Sequence, residues 1–598
     1  MTGGKVPLVR LVIAIVLLAV SVLALAAGIA ERTVFSVPET IERTIVSDTR
    51  APATILPGQA LVAFPGRQTV TITGGVEGFV PNESGEGVSR QTSSRVFGAY
   101  GKTLDVMAWL APGRHTKVSY DQATDALMAL PRSGDTFLPD PSGSDLWFFE
   151  FSGEETLSFS LAGTEDVTVL VMTDGVLPAP HTITLSWPGA AEAPWVVAAL
   201  IIGGLSLVMG LMTAFSAFRT WSKTRGPRRK KFKYVRPPRR PKARHRRAKN
   251  LPPQKRGRRA APSVAYPLTA GLVLGLGGCA SPMEPAIVVE ETGVVAAKAP
   301  NPVVTEQQFA NIMARVAEQI AAADEELSVN ALDPRVTEPT LSTRSVSYTT
   351  IKTHPDAGVL MPIPASPVRL VVPQQTETWP RNVFGIIQDE QDLESPSLGV
   401  VLRQEDPRSN YKLTYAVVLS QVQLPDLPSA SLGAPKLGAD SKLTKISPAE
   451  LLLHYVDVLN DGAESPFVDQ FALSTDTLYS QMGPEAMTLR QESFGMTVRV
   501  AWATTAIDRE ILAFSTASGG AIVLGTLRQV ERVAPTQSGA AVNSSLAIQA
   551  LTSLAQSSVG FEVDSDVQIL WYLPPVGSEE RIRVLGYAYN LVAAREVG

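Results

Sequence analysis

A chain of 598 residues offers one thiol, Cys279, in the stretch Leu276-Gly277-Gly278-Cys279. A thiol can be alkylated, and small neighbours leave the backbone beside it accessible. The competing reading is an inert small hydrophobe in a glycine-rich turn. One cysteine excludes an internal disulfide framework and cysteine-rich zinc sites. The five histidines, His115, His181, His245, His354 and His454, are far apart, with no HExxH and no i, i+4 pair. Ser409-Asn-Tyr-Lys412 fits S-x-x-K, but an acylating serine of that motif opens a helix, and this one precedes a strand pattern. Asp564 and Asp566 flank one position and could pair as carboxylates, although a solvated turn before an apolar strand is the plainer reading. His454 and Asp457 share a helical pattern and read as packing or a helix-surface contact. Asp140-Pro-Ser-Gly-Ser-Asp145 puts two carboxylates in one turn without the ligand density of a Ca²⁺ loop. No catalytic residue, metal site or cofactor is assigned.

What precedes Cys279 gives it a setting. Val264 to Gly278 is an apolar run that a helix rising ~1.5 Å per residue would stretch over only ~22 Å of a ~30 Å hydrocarbon core. It fits the h-region of a secretory signal, with Arg256, Arg258 and Arg259 as the charged n-region. Charge, apolar run, small residues and cysteine in this order resemble the lipobox of bacterial lipoproteins. The resemblance implies diacylation of Cys279 and cleavage just before it, with Leu276, Gly277 and Gly278 completing the box. Gly277 is a less common choice there than Ala or Ser.

Two further apolar runs and one basic stretch organise the rest. Lys5 and Arg10 precede the run Leu11 to Ala27, which reads as an uncleaved anchor, with Ala24-Leu25-Ala26 as the peptidase site if it is a cleavable signal instead. Trp195 to Phe218 carries no charge and would span with some tilt. Gly203, Gly204 and Gly210 allow close helix packing without a GxxxG spacing. Of the 53 Lys and Arg, 20 lie between Arg219 and Arg259 with no Asp or Glu among them, leaving 33 against 57 acidic residues elsewhere. Basic clusters beside a membrane segment stay on the cytoplasmic side. Six prolines and no apolar period mark this stretch as disordered, lying on anionic lipid headgroups. Phe232 and Tyr234 alone could stack on bases, so nucleic acid is not the partner expected.

Residues 31–190 contain short β-branched and aromatic runs between Gly, Pro, Asp and Ser, including Leu104 to Trp109 and the alternating Ile183, Leu185 and Trp187. They predict an extracytoplasmic, jelly-roll-like β-sandwich. After a tether (280–303), a capping box at Thr305 and Gln308 opens a helix whose stripe is Phe309, Ile312, Val316, Ile320 and Leu327. Strands are expected at Val346 to Ile351, Val368 to Val372, Val383 to Ile387, Leu398 to Arg403 and Tyr411 to Leu419. Beyond a linker (426–447) the order recurs: Ser447 caps a helix with Pro448 at its first position, and strands follow to Leu591.

Asp406-Pro-Arg-Ser-Asn-Tyr411-Lys412-Leu-Thr-Tyr415 resembles the late-strand signature of NTF2-like and cystatin-like cones. Residues 278–598 are similar to a family of uncharacterised actinobacterial lipoproteins, so the whole chain looks like a membrane protein fused to a lipoprotein. The fold class expected is a multidomain membrane protein: an N-terminal all-β sandwich, two transmembrane helices (1–30 and 195–218), a basic tail (219–262), a lipoprotein-type signal (263–279), and tandem NTF2-like/cystatin-like α+β domains at 304–425 and 448–598. The function expected is non-catalytic binding or scaffolding in the cell envelope, with the bilayer and an envelope protein as partners. Residues 31–190 and 280–598 would lie outside the membrane and 219–259 inside. The alternatives are an extracytoplasmic solute-binding lipoprotein or an envelope enzyme using a cone pocket.

Cleavage before Cys279 would divide the chain into two nearly equal products. On an immunoblot of the chain tagged at both ends in its native host, we expect two fragments that merge into one full-length band in Cys279→Ser. A single band in both overturns the lipobox reading.

Overall fold

Two helices are long and apolar enough to cross a membrane, over Val9–Ala30 and Val196–Thr220, and they make one unit of the chain. The computed structural model describes residues 5–33, 40–47, 50–81, 88–189, 195–224, 300–358, 360–392 and 394–598; the lipobox and the basic stretch from 225 onward lie outside these. The helices Lys5–Thr33 and Trp195–Thr224 run antiparallel. Gly203 meets Leu25 and Gly210 meets Leu18; a Cβ added at either glycine would lie 2.8 or 3.0 Å from the leucine side chain. Seven residues separate both the glycines and the leucines. One stripe of glycine thus receives one stripe of leucine, the close approach by which helices associate where burial from water supplies no drive.

The second unit joins residues 37–192 to residues 298–598. In its first part a four-stranded sheet has the order Thr40–Val46, Thr182–Pro188, Gln68–Thr73 and Thr156–Leu161. A six-stranded sheet has the order Ala126–Arg132, His115–Asp121, Ala53–Pro57, Val167–Met172, Arg95–Lys102 and Trp147–Glu154. Strand alternation buries Ile183, Leu185 and Trp187 of the smaller sheet in one core with Leu56, Val96 and Val169 of the larger.

The larger sheet is apolar on its other face too. Ile55, Phe97 and Leu170 there pack under the helix Thr103–Leu110. This helix corrects the strand expected from Leu104 to Trp109. Val106, Trp109 and Leu110 recur at i, i+3 and i+4 and are all buried, so the helical period prevails over β propensity once a sheet lies beneath it.

Residues 300–598 repeat one order twice, a capped helix followed by antiparallel strands. Thr305 and Gln308 form the capping box of Glu306–Glu326, and Ser447 and Glu450 that of Pro448–Asp461. The two sets of strands make one sheet, because Val418 and Leu419 pair with Tyr587 and Gly586. The segment expected as a linker links the far edges. Ala434–Pro435 pairs with Gln374 and Gln375 on one side, and Lys436 bridges Phe514 on the other. The Leu437 amide donates to the Ala513 carbonyl at 3.3 Å.

The strap thereby closes the sheet between Val368–Gln375 and Leu512–Ser515, while Val498–Ala506 stays an outer strand paired, among the described strands, only with Ala521–Pro535. Phe384, Tyr415, Phe514, Leu524 and Leu570 fill its inside. Outside, Phe309 and Ile312 cover one half and Leu451 and Tyr455 the other. Strands buried on both faces explain why these segments read as continuous apolar runs.

Residues Val346 to Ile351, expected as a strand, lie within the helix Thr340–Thr353. Their β-branched side chains favour a strand locally. The helix is fixed by Asp324, which accepts from the Arg344 guanidinium at 2.9 and 2.5 Å and from the Tyr348 hydroxyl at 2.5 Å. Arg344 and Tyr348, four apart, share the helix face turned to that carboxylate. Asp324→Ala, which strands the buried guanidinium, should cost about 3 kcal/mol in chemical denaturation. Asp324→Asn, which keeps part of the hydrogen bonding, should cost less. Equal stability of all three proteins would show that this anchor does not hold the helix.

Candidate functional site

The turn Asp140 to Asp145 and the turn Asp406 to Tyr411, each unremarkable alone, meet where the β part of the second unit touches residues 300–598. Asp145 is buried there with every lone pair engaged. Its Oδ2 accepts from Arg335 at 2.5 Å and from the Tyr411 amide at 2.8 Å. Its Oδ1 accepts from Arg315 at 3.2 Å and from Arg335 at 3.3 Å. The Asp145 amide donates to Asn410 Oδ1 at 3.0 Å. Asp105, in the first turn of Thr103–Leu110, accepts from Arg381 at 2.8 Å, with both side chains at most 2% exposed.

Around these pairs the rim is polar. Arg408 donates to the Trp109 and Ala111 carbonyls at 3.0 and 3.2 Å and Arg315 to Gly143 at 3.2 Å, while the buried Gln308 donates to Leu146 at 3.4 Å. Lys102 donates to the Pro302 carbonyl. Arg381 lies 3.6 Å over the ring of Trp379, which packs against the apolar cluster of Trp109 and Trp147. Carboxylates come from the β part and guanidinium groups from 300–598, a complementarity suited to the planar, two-pronged geometry of arginine.

The junction is expensive as well as specific. Asp105 Oδ2, Arg381 Nε, Asn382 Oδ1, Gln374 Nε2 and Tyr411 Oη are buried without a hydrogen-bond partner in the protein. Burial of such groups costs free energy that the ion pairs and apolar contacts must offset. Beside Asp105 and Arg381 opens a cleft of about 670 Å³, its mouth set with the part-exposed Leu104 and Met107. Lys102 lines it, and burial, partly opposed by the nearby Asp105 carboxylate and reinforced by Arg381, pushes its ammonium down to about 8.

The residues singled out in the sequence are dispersed. Cys279, Leu276, Gly277 and Gly278 lie outside the described residues, as does His245. His115 and His181 hydrogen-bond to the Gly113 and Ser47 carbonyls. His454 stacks 3.7 Å from Phe467 and bonds Gln470 at 2.9 Å, and Asp457 accepts from Ser465. Among the described residues no three His, Cys, Asp or Glu side chains group as metal ligands. Asp140 pairs with Arg95 and Asp145 with arginines, so the turn serves no open cation site. Ser409 bonds Asp406 within its own turn. Asp564 and Asp566 are not in a solvated turn: both sit inside the strand Phe561–Leu573, paired with Arg595 and Arg528.

Sequence reasoning missed Asp105, Asp145, Arg315, Arg335 and Arg381 as a group. Each stands in an ordinary local setting, and the 190 residues from Asp145 to Arg335 and the 276 from Asp105 to Arg381 hide the pairings. Residues 300–596 match the family DUF8094, a domain of unknown function. No curated protein and no solved structure matches the chain.

Lys102 ties the junction to pH. Its folded value of about 8 lies below the ordinary 10.5, so between the two the unfolded chain binds more protons and stability rises with pH. Thermal melts of the detergent-solubilised chain should show a rise from pH 8 toward pH 10 that is lost in Lys102→Met. Equal slopes in both proteins would exclude Lys102 as its source.

Proposed function

We propose that the chain is a non-catalytic binding or scaffolding protein of the cell envelope, held in the membrane by its two apolar helices and tethered by lipid at Cys279. The observation that carries the proposal is the buried junction of Asp105 and Asp145 with Arg315, Arg335 and Arg381, because parts that dock must share one side of a membrane. Residues 37–192 stand between two crossings. Residues 300–598 follow a basic stretch that would be retained inside. Docking on one side then calls for a further translocation, which the run from Val264 to Gly278 is placed to provide.

In this reading residues 31–190 and 280–598 are extracytoplasmic and residues 219–259 are cytoplasmic, on anionic headgroups. The glycine–leucine stripe between the apolar helices supports an uncleaved first anchor. The two facing sheets support a jelly-roll-like sandwich, and the repeated order of capped helix and antiparallel strands supports a pair of NTF2-like or cystatin-like halves within 300–598. The apolar filling of the closed sheet favours scaffolding over the solute-binding or enzymatic use of a cone pocket. The likeness of this half to actinobacterial lipoproteins is part of the same proposal.

Single cysteines test the arrangement in a Cys279→Ser background. In intact cells a membrane-impermeant maleimide should label Gln122→Cys and Glu579→Cys, both exposed positions, and should reach Arg240→Cys only after permeabilisation. Labelling of Arg240→Cys in intact cells, or protection of either of the others, would overturn the proposed sidedness.

A further inference from the structure

The junction has the make-up of an interface between two separate proteins. Its centre is desolvated and apolar, with Trp109, Trp147 and Trp379, and ion pairs from opposite sides cross it. Its rim includes arginine bonded to main-chain carbonyls. Aromatic residues and arginine are the types that carry most of the binding energy at protein interfaces. About 110 residues join the last described strand of the β part to residue 300. A covalent connection raises the local concentration of one part near the other to the millimolar range at most. Holding the two parts together therefore falls to the junction itself.

We propose that residues 37–192 are the receptor for residues 300–598 and retain them without covalent continuity, so that a cut between the two parts leaves a stable two-chain complex. The proposal deepens the scaffolding reading and rests on it: the partner of the β part is the DUF8094 region, recognised by its arginine face. Signal-peptidase cleavage before Cys279 would then yield a lipoprotein captured on the membrane protein synthesised with it. In the wall of the cleft beside Lys102, Asp105 Oδ2 and Arg381 Nε are themselves buried.

The test uses the full chain in detergent, with a site-specific protease sequence inserted at residue 260 and a different tag at each end. After complete cleavage, the two fragments should co-elute in size-exclusion chromatography and each tag should capture both. Arg408→Ala removes two rim hydrogen bonds without stranding a buried carboxylate, and should release the fragments about tenfold faster. Arg335→Ala with Arg381→Ala should release them at once, and circular dichroism of the uncut chain shows whether that variant is folded.

Separation of the wild-type fragments, each still folded, would overturn the proposal. Equal retention in wild type and Arg408→Ala would overturn the assignment of the holding surface. Detergent removes sidedness from this experiment, so failure of the envelope topology would appear in the cysteine labelling and not here.

Discussion

The Asp145 carboxylate is the constraint on which the second unit depends. It is buried, it accepts from two arginines and one amide of residues 300–598, and it has no water-facing alternative. A charge removed from solvent at this cost is tolerated only with its partners in place. Those partners come from three places in the chain: the helix carrying Arg315, the turn carrying Arg335, and the loop ending at Tyr411. All three must be correctly folded before the carboxylate is satisfied. Asp105 and Arg381 apply the same demand at a second point, so two fixed pairs set the orientation as well as the attachment of the two parts.

Inside residues 300–598 a different constraint operates. Two antiparallel sets of strands, each roofed by a capped helix, would leave long apolar edges and a bare inner face if they stood apart. Their pairing at Val418 and Leu419, and the closing strap at Ala434 to Leu437, cover the inner face and leave Val498–Ala506 as an outer strand. The inner face then becomes a single core shared by the two halves, with Phe384 of one beside Phe514 of the other. The polar residues spared by that core, Gln374, Arg381, Asn382 and Gln404, gather at the end of the sheet that meets the β part. Closure of the sheet and docking of the two parts are in this way consequences of one distribution of side chains.

Much of this was legible in the sequence. Length and high apolarity determined the two helices at Val9–Ala30 and Val196–Thr220, because both properties are local. Capping at Thr305 and Ser447 is also local, a hydroxyl and a residue three positions on, and so is the alternation at Ile183, Leu185 and Trp187. Tertiary structure decided the rest. The segments 104–109 and 346–351 carry residues that suit strands, and they became helices because a sheet beneath Val106 and Trp109, and a carboxylate opposite Arg344 and Tyr348, rewarded the helical spacing. The pairing of Asp145 with Arg335 joins positions 190 apart, and no spacing rule reaches that far. A sequence records which side chains can be buried or charged; only the folded chain determines which of them meet, because the desolvation that makes a buried ion pair decisive exists only once the surrounding core has formed.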